Sequence, residues 1–316
     1  MHYVRGSEEL KGPIYHPVVT IGNFDGLHVG HRAIVETVVE RARQLGGEAI
    51  AYTFYPHPRK VLTPDRAPRL LTTIEQRVEL LRTAGVGTVI VEPFTDEFSK
   101  MPAEDFIRTV LHQRIRPVEV YVGYDFHFGR DREGSMRLLT ELGPKLGFSV
   151  TIIPEVTVDA GDVNSTRIRQ MLSEGRVEEA FAMLGRNYTV RGRIVEGHRR
   201  GHELGFPTAN LEPENEILPA AGVYAGQLRF LDDGSPQAGS EYFAVANVGV
   251  RPTFDDERRL VAEAHLLDFS GDIYGRRVEL SFAHHLRDER RFAGVEGLRK
   301  QIARDVEEGR RRLEAL

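Results

Sequence analysis

Short apolar runs alternate with helical periodicity over residues 17–156. The runs at 18–21, 49–54, 88–92, 119–122 and 149–153 are rich in Val, Ile, Tyr and Phe and read as strands. Between the first two, Ile34, Val35, Val38, Val39, Ala42 and Leu45 share one face of a helix that Gly46 and Gly47 end. The stretches 74–84, 103–115 and 137–146 carry the same period. Strands alternating with helices predict a parallel sheet with crossover helices, an α/β Rossmann-like domain whose ligands sit at the carboxyl ends of the strands.

A linking helical segment is expected over 166–184, and then the pattern changes. Runs at 188–195, 222–230, 241–247, 262–269 and 278–282 are separated by Gly, Pro, Asp and Asn, which predicts a small antiparallel barrel or sandwich. An amphipathic helix over 295–316 closes the chain, with Leu298, Ile302 and Val306 on one face. The pattern predicts two domains, 1–185 and 186–316.

Composition narrows the chemistry. The 316 residues have room for two domains, and 42 Lys and Arg against 47 Asp and Glu give a net charge of −5. That balance carries no footprint for a polyanion, so no nucleic-acid partner is expected. The absence of cysteine excludes disulfides, thiolate metal sites and cysteine nucleophiles, and fits a reducing compartment. The N-terminus has no apolar signal core, and no window approaches 18 consecutive apolar residues. A soluble cytoplasmic protein without membrane contact is expected; nothing in the pattern fixes an oligomeric state.

The stretch "TIGNFDGLHVGHR", residues 20–32, follows the first strand and opens the first helix. Glycines allow close backbone approach, and a helix N-terminus supplies oriented N–H donors, so the stretch suits a phosphate. His28 and His31 are placed to donate hydrogen bonds to the oxygens of a pentacovalent phosphorus as its transition state develops. The plain alternative is a glycine-rich turn with two exposed histidines. A second candidate is "NSTRIRQML", residues 164–172, where Ser165 and Thr166 are good caps and Arg167 and Arg169 fall in the first helical turn. Cations there oppose the helix dipole unless an anion is bound.

"GNFDGLHVGH", "TFYPHPRKVL", "RLLTTIEQRVELL", "VGYDFHFGRDREG" and "NSTRIR" together resemble the nucleotidyltransferase module of bacterial bifunctional riboflavin kinase/FAD synthetases, over about 17–185. The H-x-G-H element alone is shared by a wider superfamily. The resemblance implies transfer of AMP from ATP to FMN with release of pyrophosphate. It implies that His28 and His31 bind the ATP phosphates, and that Gly22, Asn23, Phe24, Asp25 and Gly30 belong to the same loop. Ser165, Thr166 and Arg169 would close over the phosphates. Phe54, Pro56, Asp125, Phe126 and Phe128 would lie near flavin or adenine, with core packing an equal reading for Phe54 and Phe126. Asn164 and His127 depart from the family's usual serine and arginine.

In the second half, "GRIVEGHRRGHELGFPTANL" sets Gly197, Gly201 and Gly205 around His198, Arg199, Arg200 and His202. It is a plausible phosphate cradle but not a Walker A loop, since no G-K-[ST] ends it. Thr208 and Asn210 point the same way on an extended segment, and neutral oxygens beside triphosphate suit Mg²⁺. Glu263 stands alone in the apolar run "LVAEAHLLDF", either a solvent-facing strand residue or a general base for attack on a γ-phosphorus. "GHELGFPTANL", "GVYAG", "ANVGVRPTF", "EAHLLDF" and "DIYGRRVELSF" resemble the riboflavin kinase module of the same family, over about 187–316. The resemblance implies a six-stranded Greek-key barrel, Mg²⁺ and ATP held by Thr208 and Asn210, and Glu263 activating the ribityl 5′-hydroxyl. Gly197 and Gly201 would line the nucleotide loop, and Arg287 would approach flavin. His202 stands where arginine or lysine is common.

The implied function is sequential conversion of riboflavin to FMN and of FMN to FAD, with riboflavin, FMN and ATP as small-molecule partners and Mg²⁺ as cofactor. Three other readings are weighed. Loss of one activity is opposed by competent residues at every named catalytic position. A non-enzymatic flavin binder is opposed by the intact phosphate motifs. tRNA charging is opposed by the lack of a K-M-S-K-S-like element.

Overall fold

The first strands are apolar on both faces because helices cover both faces of their sheet. The computed structural model describes residues 3–154, 157–158, 161–196, 205–231, 238–252, 258–290 and 292–315. The chain divides into two units, Met1–Asn164 and Ser165–Leu316.

The first unit runs β1 (Val4–Arg5), β2 (Pro17–Ile21), α1 (Val29–Gln44), β3 (Glu48–Tyr55), α2 (Pro58–Leu62), α3 (Ile74–Thr83), β4 (Thr88–Pro93), α4 (Asp96–Ser99), α5 (Ala103–Asp105), β5 (Glu119–Gly123), α6 (Met136–Leu142), β6 (Ser149–Ile153), β7 (Thr157–Val158) and β8 (Gly161–Asp162). β1 to β6 form a parallel sheet of order β1-β4-β3-β2-β5-β6. Val18, Ala49, Ala51 and Val89 meet α1 and α3 on one face. Val19, Ile50, Tyr52, Ile90 and Val120 meet the segment after α5 on the other. The order reverses between β2 and β5, which makes the crevice beyond their carboxyl ends the switch point for ligands.

Periodicity missed local detail. α5 widens into the π-helix Phe106–Ile115, and α6 stops at Leu142 where Gly143 and Pro144 lead into a 3₁₀ turn. The short edge strand β1 carries too few residues to show a period.

In the second unit the linking segment is two helices, α7 (Ser165–Ser173) and α8 (Val177–Leu184), parted at Gly175, whose φ of 78° is left-handed. β9 (Tyr188–Val195), β10 (Ala209–Pro213), β11 (Gly222–Phe230), β12 (Glu241–Pro252), β13 (Arg258–Leu266) and β14 (Arg277–Phe282) follow. They close an antiparallel barrel in the cyclic order β9-β10-β13-β12-β11-β14. The non-neighbour steps β10→β11 and β13→β14 give it a Greek-key order. β15 (His284–Asp288) adds to β11, and α9 (Val295–Leu313) covers the outside of β11 and β12. Gly309 lets that helix sit close, because a Cβ there would come within 2.8 Å of Val245 Cγ2. Tyr224, Leu228, Phe230, Leu280 and Phe282 are fully or almost fully buried on their strands.

Candidate functional site

In the first unit, β2 delivers the loop 22–28 to the start of α1 at the switch point. His28 is the N-cap of α1, and its Nδ1 accepts from the His31 backbone N–H at 3.3 Å. A neutral imidazole that accepts at Nδ1 carries its proton at Nε2, so the cap fixes the tautomer. The rings of His28 and His31 stack with centroids 3.7 Å apart, and Phe24 meets His31 edge-on at 5.4 Å. Burial, then the neighbouring His28, then Arg77 hold the His31 pKa well below the usual imidazole range. Two buried polar atoms around this loop, His31 Nδ1 and Asn23 Oδ1, have no hydrogen-bond partner. Unsatisfied buried groups are costly and need a reason, and a bound polar ligand is one. Gly30 is the second residue of α1.

The loop holds its shape through inward-facing residues. Phe24 (φ 48°), Gly26 (φ 82°) and Leu27 (φ 35°) are all left-handed, which folds the chain back before the helix. Phe24 packs with Leu27, Val35, Val78 and Leu81. Its ring lies against Gly22, where a Cβ would be 3.1 Å away. Asp25 is buried and accepts from the backbone N–H groups of Leu71 and Thr72 and from the Thr72 hydroxyl, at 3.0–3.1 Å. Phe24 and Asp25 thus turn into the protein, whereas the two histidines stack on each other at the start of α1.

Phe54 and Phe128 are buried and Phe126 is half-buried, in an aromatic series with Phe94, Phe98 and Phe106. Phe126 and Phe128 stack at 5.4 Å and 15°. Asp125 is exposed on the turn after β5, and Pro56 is half-buried just beyond β3. His127, the departure from arginine, lies 3.2 Å from the Arg132 guanidinium, so an arginine charge reaches that position from another residue. Ser165 and Thr166 open α7 and Arg169 stands at the start of its second turn, with Asn164 immediately before the helix.

In the second unit, register brings the predicted residues together. Asn210 on β10 is directly opposite Glu263 on β13, and Asn247 on β12 is opposite Glu263 from the other side. Directly opposed residues have Cβ atoms about 5 Å apart. Ala262 and Ala264 are fully buried, so Glu263 lies on the outer face of the barrel, half-exposed between two carboxamides. Thr208, two residues before Asn210, lines a cavity of about 500 Å³ with Ile194, Pro207, Phe269, Asp272 and Tyr274. Among the described residues no three or more His, Cys, Asp and Glu cluster as a metal cage. A hydroxyl, a carboxamide and one carboxylate do fit Mg²⁺, which takes few protein ligands beside phosphates. Gly197 and Gly201, with His198, Arg199, Arg200 and His202, lie outside the described residues.

Arg287 is committed to Asp305 of α9, through Nε at 3.0 Å and Nη2 at 2.8 Å, and lies 5.7 Å from the Phe292 ring. Asn247 escaped the sequence reading because a lone asparagine in a strand has no signal until the partner strand is known.

Residues 14–167 match the FAD synthetase family model and 184–313 the riboflavin kinase model. A bifunctional riboflavin kinase/FMN adenylyltransferase of Escherichia coli strain K12 is 36% identical, over 96% of both chains. One from Pseudomonas fluorescens is 37% identical, over 97% of this chain and 96% of the relative. A crystal structure described as a macrolide-efflux protein from Streptococcus pneumoniae matches with a TM-score of 0.84 at 29% identity, covering 98% of each chain. Among the described residues no helix of this protein is long and apolar enough to cross a membrane. With both modules matched in order along nearly its whole length, the chain belongs to the bifunctional riboflavin kinase/FMN adenylyltransferase family.

Proposed function

We propose that the two constellations are the active sites of the two activities, with riboflavin, FMN and ATP as the small-molecule partners. In the barrel, Glu263 takes the proton of the riboflavin 5′-hydroxyl. The freed oxygen attacks the ATP γ-phosphorus, and ADP leaves as FMN forms. Thr208 and Asn210 would hold Mg²⁺, whose contribution when bound is to neutralise charge on the phosphates. Asn210 and Asn247 flank the Glu263 carboxylate and hold its direction. The cavity beside Thr208 is large enough to take part of the nucleotide.

At the switch point of the sheet, a phosphate oxygen of FMN attacks the ATP α-phosphorus and pyrophosphate leaves. The His28 Nε2–H and the His31 ring meet the charge that grows on the phosphoryl oxygens. Asn23 and the glycines at 22 and 30 let the backbone approach, and Phe24 and Asp25 keep the loop in shape. Phe54, Pro56, Asp125, Phe126 and Phe128 supply the surface for the ring of the flavin or of adenine. The functional boundary lies at 185/186, where Gly185 ends α8 before β9. A cytoplasmic setting without nucleic-acid partners suits a cysteine-free chain of net charge −5.

The observation that carries this reading is the stacked His28–His31 pair at a helix N-terminus and sheet switch point, joined by the Asn210–Glu263–Asn247 row in the second unit. The test is to incubate the purified protein with riboflavin and Mg²⁺-ATP and follow products by chromatography. FMN should appear first and FAD after it. FMN without FAD would sink the assignment of the first site, and neither product would sink both.

A further inference from the structure

Arg77 sits in α3, whose start is fixed by a capping box between Thr73 and Gln76. Its side chain is fully buried, among the apolar neighbours Val78 and Leu81. Burying a guanidinium costs several kcal/mol, and a well-packed aliphatic side chain commonly serves stability as well or better. Stability alone therefore gives a weak reason for arginine here.

What the guanidinium touches gives a better one. Nη2 is 3.8 Å from Asp25 Oδ1, in the loop that leads to His28. Nη1 donates to the Phe54 carbonyl at 3.3 Å, near the end of β3. One rigid, planar fork thus bridges the loop read as the ATP-phosphate site and the strand end that carries Phe54 and Pro56. The titratable and charged groups that act on His31 are His28 and Arg77, and of these Arg77 is the permanent cation.

We propose that Arg77 is a positioning residue for adenylyl transfer, which fixes the spacing between the phosphate loop and the flavin-side end of β3 and keeps a buried positive charge behind His31. It touches neither substrate. The proposal rests on the assignment of the 22–31 loop to ATP phosphates.

The test compares Arg77→Lys and Arg77→Met in the full chain, measuring FAD formation from FMN against pH and FMN formation from riboflavin in the same preparations. In Arg77→Met the kcat for FAD should fall about 100-fold, the scale of a misplaced reacting group. The limb of the pH profile set by His31 should also move to higher pH, because a cation that opposed protonation is gone. Arg77→Lys keeps the charge and loses the fork, so it should lose about tenfold and raise the KM for FMN, with the limb in place. FMN formation should be unaltered in both, which reports that the chain is folded. Wild-type FAD kinetics in Arg77→Lys overturns the bridging role, and decides the matter even if Arg77→Met fails to fold. Equal losses in both variants with an unmoved pH limb mean a packing defect and overturn the proposal as well. If His28→Ala leaves FAD formation intact, the assignment of the loop itself falls, and Arg77 falls with it.

Discussion

A histidine buried beside another histidine and a guanidinium takes up a proton reluctantly. His31 is in that position, and its pKa is held well below the ordinary imidazole value of about 6.5. The unfolded chain would protonate it near that value, so below it the unfolded state binds the extra proton. Stability therefore rises with pH through this window and is lost as pH falls. His31→Gln removes this term, and its urea midpoint should decline less between about pH 7 and pH 5 than that of the parent. Parallel declines would show that His31 is not buried as a neutral ring. Binding of an anionic phosphate draws the other way, toward the protonated ring, so this stability cost and the proposed catalytic role have one cause. Both histidines were legible from their place between a strand and a helix. Arg77 was not: in "IEQRVELL" it looks like a surface arginine, and only the packing of α3 turns it inward.

Strand pairing makes residues far apart in sequence into neighbours. Glu279 on β14 is opposite Arg191 on β9 and Arg229 on β11. It bonds the first at 2.7 Å and the second at 2.7 Å. Burial alone pushes the Glu279 pKa up, but Arg191 and Arg229 together bring it below the ordinary carboxylate value. Its contribution is thus present above the unfolded pKa and is lost as pH falls through the lowered one. Glu279→Gln leaves two guanidinium groups facing each other across the strands, and should destabilise the barrel by about 3 kcal/mol. Denaturation of the variant at neutral pH measures this, and a loss below about 0.5 kcal/mol would mean that solvent screens the cluster. The element boundaries show where periodicity works. Long, two-sided apolar strands such as β3 and β4 stand out in sequence. The π-helix after α5, the break at Gly175 and the two-residue β1 depend on hydrogen bonds and turns that no apolar period encodes.

Two activities in one chain should be separable by single substitutions if each has its own site. Glu263→Ala is expected to abolish FMN formation from riboflavin yet still convert supplied FMN to FAD. His28→Ala should do the reverse, making FMN at the parent rate and FAD about 100-fold more slowly. Loss of both activities in either variant would contradict two independent sites. At this scale the sequence by itself determined a great deal. The change of period near residue 186 separated an α/β half from a β half, and short motifs in order along the chain fixed the family. Composition excluded cysteine chemistry. Local pattern can do this because strand, turn and helix start are set by neighbouring residues. Only the tertiary structure decided which of the motif residues turn into the core and which partners each one meets. It turned Asp25 onto 71–72, committed Arg287 to Asp305, brought Asn247 to the flank of Glu263, and buried Arg77 between two elements. Those outcomes depend on strand order, register and the packing of helices on a sheet, and such long-range contacts leave no trace in the spacing of the residues that make them.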